Sequence, residues 1–401
     1  MTYNLTGRID TAAAPKVESL IQEAINNASE PVTNLIFDCS ALDFISSTGL
    51  RIVLKYKKLY PSLEVINVSN DVYSVFEITG FTRIINVRKA LRKIDLTKCE
   101  LIGEGGNGAV YRINEEEIVK VSKHSRGEET LVHESEQVRE AFLMGIPTVI
   151  SFDTVDCGDG RKGIVMEALN SQSLGAYLSA NPDCMDDIVP MYVELFRQAN
   201  SVEVDTPLFR NTKEWLRSLI NLPQRIVSEE EAAMLSGLLD EIPDSNRFVH
   251  FDGHAGNILM HGSQDDRSLM LIDFGDSGTG HPVLEIAGWG FVMLEPDFGQ
   301  GDEQQRKITG MSREMCRQFS RRILAEMFHT TDEAEIEDLL HKASLVARLK
   351  SAFVAQYWYA VSPSGNFKSF IKQLVEETIT LVPEIRDAIR YFVNRIEQSS
   401  E

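Results

Sequence analysis

Residues 248–260 read FVHFDGHAGNILM. Two apolar β-formers, Phe248 and Val249, lead into a polar loop, and Ile258 to Met260 lead out of it as a second short apolar run. Inside the loop stand His250, Asp252, His254 and Asn257, with four residues between the Asp and the Asn. A carboxylate that orients an attacking hydroxyl, followed at this spacing by an amide oxygen that holds a metal, is what a phosphoryl-transfer loop requires. His254 and His261 raise the thought of zinc, but no cysteine stands at ligand spacing, and surface or supporting roles are the expectation.

The flanks carry the remaining parts in order. After the polar segment GSQDDRS, LMLIDFGDSG ends a strand-like run with Asp273, a carboxylate suited to Mg²⁺ bridging phosphates. Upstream, LIGEGGNGAVYRINEEEIVKVS places Gly103, Gly105, Gly106 and Gly108 ahead of Val110, between β-rich flanks. Glycines so spaced let a backbone lie close over nucleotide phosphates, although a plain Gly-rich hairpin turn has the same composition. Lys120, in the following strand, would set an ammonium over the α- and β-phosphates. A strand rather than a helix follows the glycines, which excludes a dinucleotide-binding Rossmann unit. Glycine loop, strand lysine, Asp-to-Asn loop and Asp-Phe-Gly in this order predict a protein-kinase-like fold, α+β and bilobal, with a helical C-terminal lobe.

The loop HFDGHAGNIL resembles the catalytic loop of the aminoglycoside phosphotransferase and choline kinase group, usually His-Gly-Asp-x-His-x-x-Asn. His250, Asp252, His254 and Asn257 match, while Phe251 replaces the usual Gly. The resemblance covers residues 100–300 well and implies ATP and Mg²⁺, with Asn257 and Asp273 as metal ligands. It also implies a Glu partner for Lys120, either Glu134 or Glu136, and a hinge at GIVMEAL, where Glu167 and Ala168 would face adenine through backbone groups. In the group an Asp after GHP braces the catalytic loop; here Glu285 stands near that place. Only a short segment separates Asp273 from GHP, with no long activation segment ending in Ala-Pro-Glu. That favours a small hydroxylated acceptor of the aminoglycoside or choline kind.

Beyond residue 304 the apolar spacing is helical in MCRQFSRRILAEMF, IEDLLHKASLVARLKSAFVAQYWYAV and VPEIRDAIRYFVNRI. Tyr357, Trp358 and Tyr359 fit either the core of a long helix or the lining of a cationic site, with core packing favoured. Glu295, Asp297, Asp302 and Glu303 fall in a Gly/Pro loop that either contacts an amine or is simply solvated.

The first 95 residues alternate differently. KVESLIQEAINNA puts Val17, Leu20, Ile21, Ala24 and Ile25 on one helical face. VTNLIFD reads as a buried strand between Pro31 and Asp38, and TGLRIVLKYKKLY as a helix with Leu50, Val53, Leu54 and Leu59 inward. LEVINV, DVYSVFEIT, then RIINV and RKALRKI repeat strand and helix, which predicts a mostly parallel α/β sheet with crossover helices. FDCSALDFISSTGLRIVL with VYSVFEITGFTRIINV is similar to the STAS domain of anti-sigma-factor antagonists. The resemblance implies a phosphoacceptor at Ser47, with Ser46 where the family commonly has Asp. The competing reading of Ser46, Ser47 and Thr48 is a helix N-cap. A phosphate there would meet free N–H groups at the positive end of the helix dipole.

Composition sets the outer limits. The 401 residues, 43% hydrophobic and 25% charged, suit a soluble chain of two or three domains with real cores. Residues 1–97 hold 11 basic and 10 acidic side chains, so the whole of the net charge of -20 belongs to the remainder, whose own balance is -21. Such a surface repels nucleic acid and anionic membrane. Five scattered cysteines, no leader pattern and no long apolar stretch predict reduced thiols and a cytoplasmic protein without a membrane span. The expected organisation is a STAS-like domain over 1–95, a kinase N-lobe over 98–169 and a C-lobe over 170–401. The expected activity is ATP- and Mg²⁺-dependent phosphorylation of a small molecule, with the STAS module regulating or docking a protein partner. A serine kinase acting on Ser47, and a nucleotide sensor without turnover, are the alternatives.

Overall fold

The computed structural model describes residues 1–104, 108–122, 128–222, 225–262, 266–294, 301–361 and 365–398. It divides into two units, Met1–Ile94 and Asp95–Glu401.

In the first unit β1 (Thr2–Ile9), β2 (Ile36–Ile45), β3 (Glu64–Val68) and β4 (Asn86–Lys89) form a parallel sheet in the order β1-β2-β3-β4. Helices α1 (Ala14–Asn26), α2 (Ser47–Leu59) and α3 (Asn70–Ile78) make the crossovers. Phe37, Tyr56, Val65 and Phe76 are fully buried at its centre. Several expectations are corrected here. The strand predicted over VTNLIFD starts only at Ile36 and runs on to Ile45, held by β1 through two register shifts. RKALRKI is not a helix: β4 extends through Lys89. Leu20 of α1 is exposed, and on α2 Leu59 is exposed while Ile52 and Tyr56 take inward positions, because the sheet meets α2 on a face rotated from the simple leucine stripe. Gly49 stands where a Cβ would come within 2.6 Å of Ile45 and 2.9 Å of Ile9, so only glycine lets α2 start this close to the sheet.

The second unit begins with β5 (Glu100–Glu104), β6 (Gly108–Arg112), β7 (Glu117–Ser122), β8 (Ser151–Asp156) and β9 (Lys162–Glu167). They pair antiparallel in the order β8-β9-β7-β6-β5, with α4 (Glu128–Leu143) between β7 and β8 in sequence. A helical lobe follows: α5 (Leu174–Ala180), α6 (Met185–Ser201), α7 (Thr212–Ile220) and α8 (Glu229–Leu239). The antiparallel hairpin β10 (Ile258–His261) and β11 (Ser268–Leu271) comes next, then α9 (Val283–Met293), α10 (Gly301–Thr309) and α11 (Arg313–Met327). The chain closes with α12 (Glu333–Val361), α13 (Gly365–Thr380) and α14 (Val382–Gln398). The long α12 packs against α7, α9, α11 and α14 and forms the spine of this lobe. Among the described residues no helix is long and apolar enough to cross a membrane.

Candidate active site

The polar loop at 250–257 is held by its backbone before any of its side chains is considered. Glu285, in the first turn of α9, accepts the His250 N–H at 2.6 Å and the Phe251 N–H at 3.1 Å, with Asn200 of α6 donating at 3.0 Å. The longer side chain therefore reaches the loop where a shorter Asp was the family expectation. Burial pushes its carboxyl up to about 7, against these three donors. Tyr192 of α6 donates to the Gly253 carbonyl at 2.8 Å. Phe251 has φ 60, a left-handed conformation that glycine enters freely and phenylalanine does not. Its ring is fully buried and meets Trp215 edge-on with centroids 6.0 Å apart.

Asp252 and Asn257 face each other across this loop. The Asn257 Nδ2 donates to Asp252 Oδ2 at 2.9 Å and to its carbonyl at 3.1 Å. That leaves the amide oxygen of Asn257 as the atom to offer a cation. The other Asp252 oxygen, Oδ1, takes a hydrogen bond of 3.1 Å from Lys350, deep in α12. Burial alone would raise the Asp252 pKa, but the charged Lys350 foremost holds it well below the usual carboxylate range. His254 is buried, with Nε2 3.7 Å from Asp252 Oδ2 and Nδ1 accepting from the Gly256 N–H, so the ring is a neutral support beside the carboxylate. His261 instead lies at the end of β10 with Nδ1 3.2 Å from the Asn170 carbonyl.

Lys120 of β7 lies between two carboxylates, 2.8 Å from Glu134 of α4 and 3.1 Å from Asp273. Burial opposes its charge, yet Asp273 and Glu134 raise its pKa above the ordinary lysine value. Of the two glutamates considered for this pairing the contact goes to Glu134; Glu136 is exposed. Asp273 has φ 65 and opens the short 3₁₀ turn Phe274–Asp276. Gly103 pairs with Val110, Val110 with Lys120 and Gly108 with Ser122 across the β5-β6-β7 ladder, so the strand that opens at Gly108 runs beside the lysine strand. Gly105 and Gly106 lie outside the described residues.

Three expectations change. The N–H groups of Glu167 and Ala168 are spent inside the sheet, donating to the Ile150 carbonyl at 3.0 Å and the Glu116 carbonyl at 2.8 Å. Those two residues keep no N–H for a base. Asp302 and Glu303 form the first turn of α10 and pair with Arg306 and Lys307, both at 2.9 Å, rather than standing in an open loop; Glu295 and Asp297 lie outside the described residues. Tyr357 and Trp358 are exposed, and the core reading holds only for Tyr359, which packs against the core.

Lys350 is the residue the sequence reading missed. It is 1% exposed, donates to the Phe251 carbonyl at 2.6 Å and reaches Asp276 Oδ2 at 2.8 Å. The signal was available: Val346, Ala347 and Phe353, at helical spacing around it, are all apolar, so a lysine there falls on the buried stripe.

Comparison with known proteins follows the same division. The family model described as STAS domain matches residues 1–94, and that described as phosphotransferase enzyme family matches residues 98–305. Among solved structures, an ADP-bound aminoglycoside phosphotransferase, APH(2'')-Ib, is 16% identical, with 77% of this chain and 98% of that one covered at a TM-score of 0.46. A choline/ethanolamine kinase family protein from Mesorhizobium loti is 13% identical, covering 73% and 92% at a TM-score of 0.45. A microcompartment-associated aminopropanol kinase is 15% identical, covering 73% and 93% at 0.43. No curated protein matches the chain. With just over half its length matched, the chain belongs to the phosphotransferase enzyme family, as a kinase for hydroxyl groups that carries a STAS domain at its N-terminus.

Proposed function

We propose that the second unit transfers the γ-phosphoryl group of Mg-ATP to a hydroxyl of a small molecule, and that the STAS unit regulates it or docks a protein partner. The observation that carries this reading is the pair of polar clusters: Lys120 between Glu134 and Asp273, and Asp252 joined to Asn257. The donor set suits the group it would hold. One carboxylate and one amide oxygen are hard ligands for Mg²⁺, which keeps waters in its remaining positions. When bound, the metal supplies positive charge across the phosphates.

The chain's own residues then have distinct tasks. Asn257 and Asp273 hold the metal, Lys120 steadies the phosphates with Glu134 orienting its ammonium, and the strands around Gly103, Gly108 and Val110 cover the nucleotide. Asp252, ionised, orients the acceptor hydroxyl and receives its proton late, so rate comes chiefly from positioning and charge stabilisation. Only a 3₁₀ turn and a two-residue strand lie between Asp273 and the helix α9, so no segment is present there to dock a peptide, which favours a small acceptor.

Radiolabelled ATP with a panel of hydroxylated metabolites and aminoglycosides tests the reading. Asp252→Asn is expected to abolish transfer while nucleotide binding persists; turnover at the wild-type rate by that variant refutes it. A second reading has its own observation. Ser46, not Ser47, caps α2, accepting the Gly49 N–H at 3.4 Å, and Ser47 is left exposed at the first helical position. Ser47 is thereby available as a phosphoacceptor, in its own chain or another. Intact mass after incubation with Mg-ATP decides: one added phosphate that is absent from Ser47→Ala supports it, and the same addition to Ser47→Ala sinks it.

A further inference from the structure

We propose that Lys350 is a positioning residue for phosphoryl transfer, fixing the Asp252 carboxylate and tying it to Asp276 through one buried ammonium. This rests on the reading of Asp252 as the group that orients the acceptor hydroxyl. The geometry is specific. The ammonium bonds to the Phe251 carbonyl at 2.6 Å, Asp252 Oδ1 at 3.1 Å and Asp276 Oδ2 at 2.8 Å, which accounts for its three protons. It also lies 4.7 Å from the centre of the Phe251 ring and 5.5 Å from that of Phe291, a setting that favours a cation. Burial would strip the proton from an isolated lysine here, but Asp252 and Asp276 raise its pKa above the ordinary value, so it stays charged.

The arrangement leaves Asp252 little freedom. Lys350 holds one carboxylate oxygen and Asn257 the other, from opposite partners, so rotation about the last side-chain bond breaks one contact or both. Lys350 belongs to α12, outside the matched residues 98–305, and α12 packs on α9, whose Glu285 braces the same loop by its backbone. Two helices of the C-terminal lobe thus fix the loop independently, Glu285 at the main chain and Lys350 at the reacting carboxylate. A lysine that served packing alone would need one carboxylate partner; here it spans two, each partly open to solvent, with 25% and 36% of the side chain exposed.

The test uses the full chain carrying Lys350→Met or Lys350→Arg beside wild type. Mg-ATP affinity is measured by calorimetry. Turnover is measured with the best acceptor from the panel, or with water as acceptor where none exceeds it. Lys350→Met is expected to keep nucleotide affinity within about twofold and to lose about 100-fold in kcat, with Lys350→Arg recovering about tenfold of that. Its crystal structure is expected to show Asp252 turned from Asn257. A folded Lys350→Met with unchanged kcat overturns the proposal, as does parallel loss of kcat and nucleotide affinity, an Arg variant no better than Met, or an unmoved Asp252. Should Lys350→Met fail to fold, Asp276→Asn removes one anchor of the ammonium. About a tenfold loss of kcat at constant nucleotide affinity then supports the proposal, and an unchanged kcat overturns it. Wild-type turnover by Asp252→Asn refutes the underlying reading and the proposal together. Inactive Asp252→Asn beside fully active Lys350→Met refutes the proposal alone.

Discussion

Replacing Phe251 separates two effects that its position combines. The ring is fully buried against Trp215, so its removal to alanine is expected to cost about 3–5 kcal/mol, the range for a truncated core phenylalanine. The backbone, at φ 60, works the other way. A left-handed conformation costs a non-glycine residue about 1–2 kcal/mol, and glycine escapes that cost. Glycine also gives the unfolded chain more freedom, which removes about 0.4–1 kcal/mol of the advantage. Both variants lose the ring, so their difference isolates the backbone, and Phe251→Gly should be more stable than Phe251→Ala by roughly 0.5–1 kcal/mol. At an ordinary buried position glycine is the worse of the two, so the sign is diagnostic. Equilibrium urea unfolding of the full chain, followed by tryptophan fluorescence, reads it directly, because Trp215 reports on the site. Alanine equal to or more stable than glycine refutes the strain argument.

The remaining expectations concern the same lobe and the first unit. Gly288→Ala should destabilise by about 1–3 kcal/mol in the same titration, although alanine is the better helix former, because the new Cβ would lie 2.5 Å from Phe251 backbone atoms; a neutral or stabilising result refutes it. His281 is buried with its pKa lowered to about 4, chiefly by burial, and its Nδ1 accepts the Val283 N–H at the start of α9. Because the unfolded histidine binds its proton at higher pH, stability should fall as pH drops from 6.5 towards 4, by about 2 kcal/mol at pH 5 from this group. His281→Gln should lose that share of the pH dependence, and an identical pH profile counts against it. Ser46→Ala should speed hydrogen exchange at the first turn of α2, as expected for a cap worth about 1 kcal/mol, while Ser47→Ala leaves exchange unchanged; equal effects overturn the division of roles.

The site was legible in the sequence where its parts are local. Asp252 and Asn257 share one loop, where spacing brings them together, and Lys120 meets Glu134 only fourteen positions away, a partner the family resemblance narrowed to Glu134 or Glu136. Lys350 is ninety-eight positions from Asp252, and no spacing rule connects them; only a charge on an apolar helical stripe marked it. That the Glu167 and Ala168 N–H groups are spent was not legible, because which N–H groups a strand end spends on its neighbours depends on register, and register is a tertiary property. Leu59 and Leu20 were placed inward on periodicity, which gives a helix an apolar side without saying which part of it meets the sheet.

The two lysines also explain one another. Lys120 is held between Glu134 and Asp273, and Lys350 between Asp252 and Asp276, so each cation has a carboxylate on either side. Asp273 precedes and Asp276 ends a single 3₁₀ turn, and that turn therefore supplies one carboxylate to Lys120 and one to Lys350. A shift of the turn cannot relax one pair without straining the other. Stability alone does not require this, since well-packed apolar residues replace buried ion pairs at little cost, whereas removing one member costs roughly 3–5 kcal/mol. What the paired arrangement does secure is a fixed distance between Lys120 and the Asp252 carboxylate, the groups proposed to steady the phosphates and to orient the hydroxyl. That distance is the quantity on which a reaction driven by positioning depends.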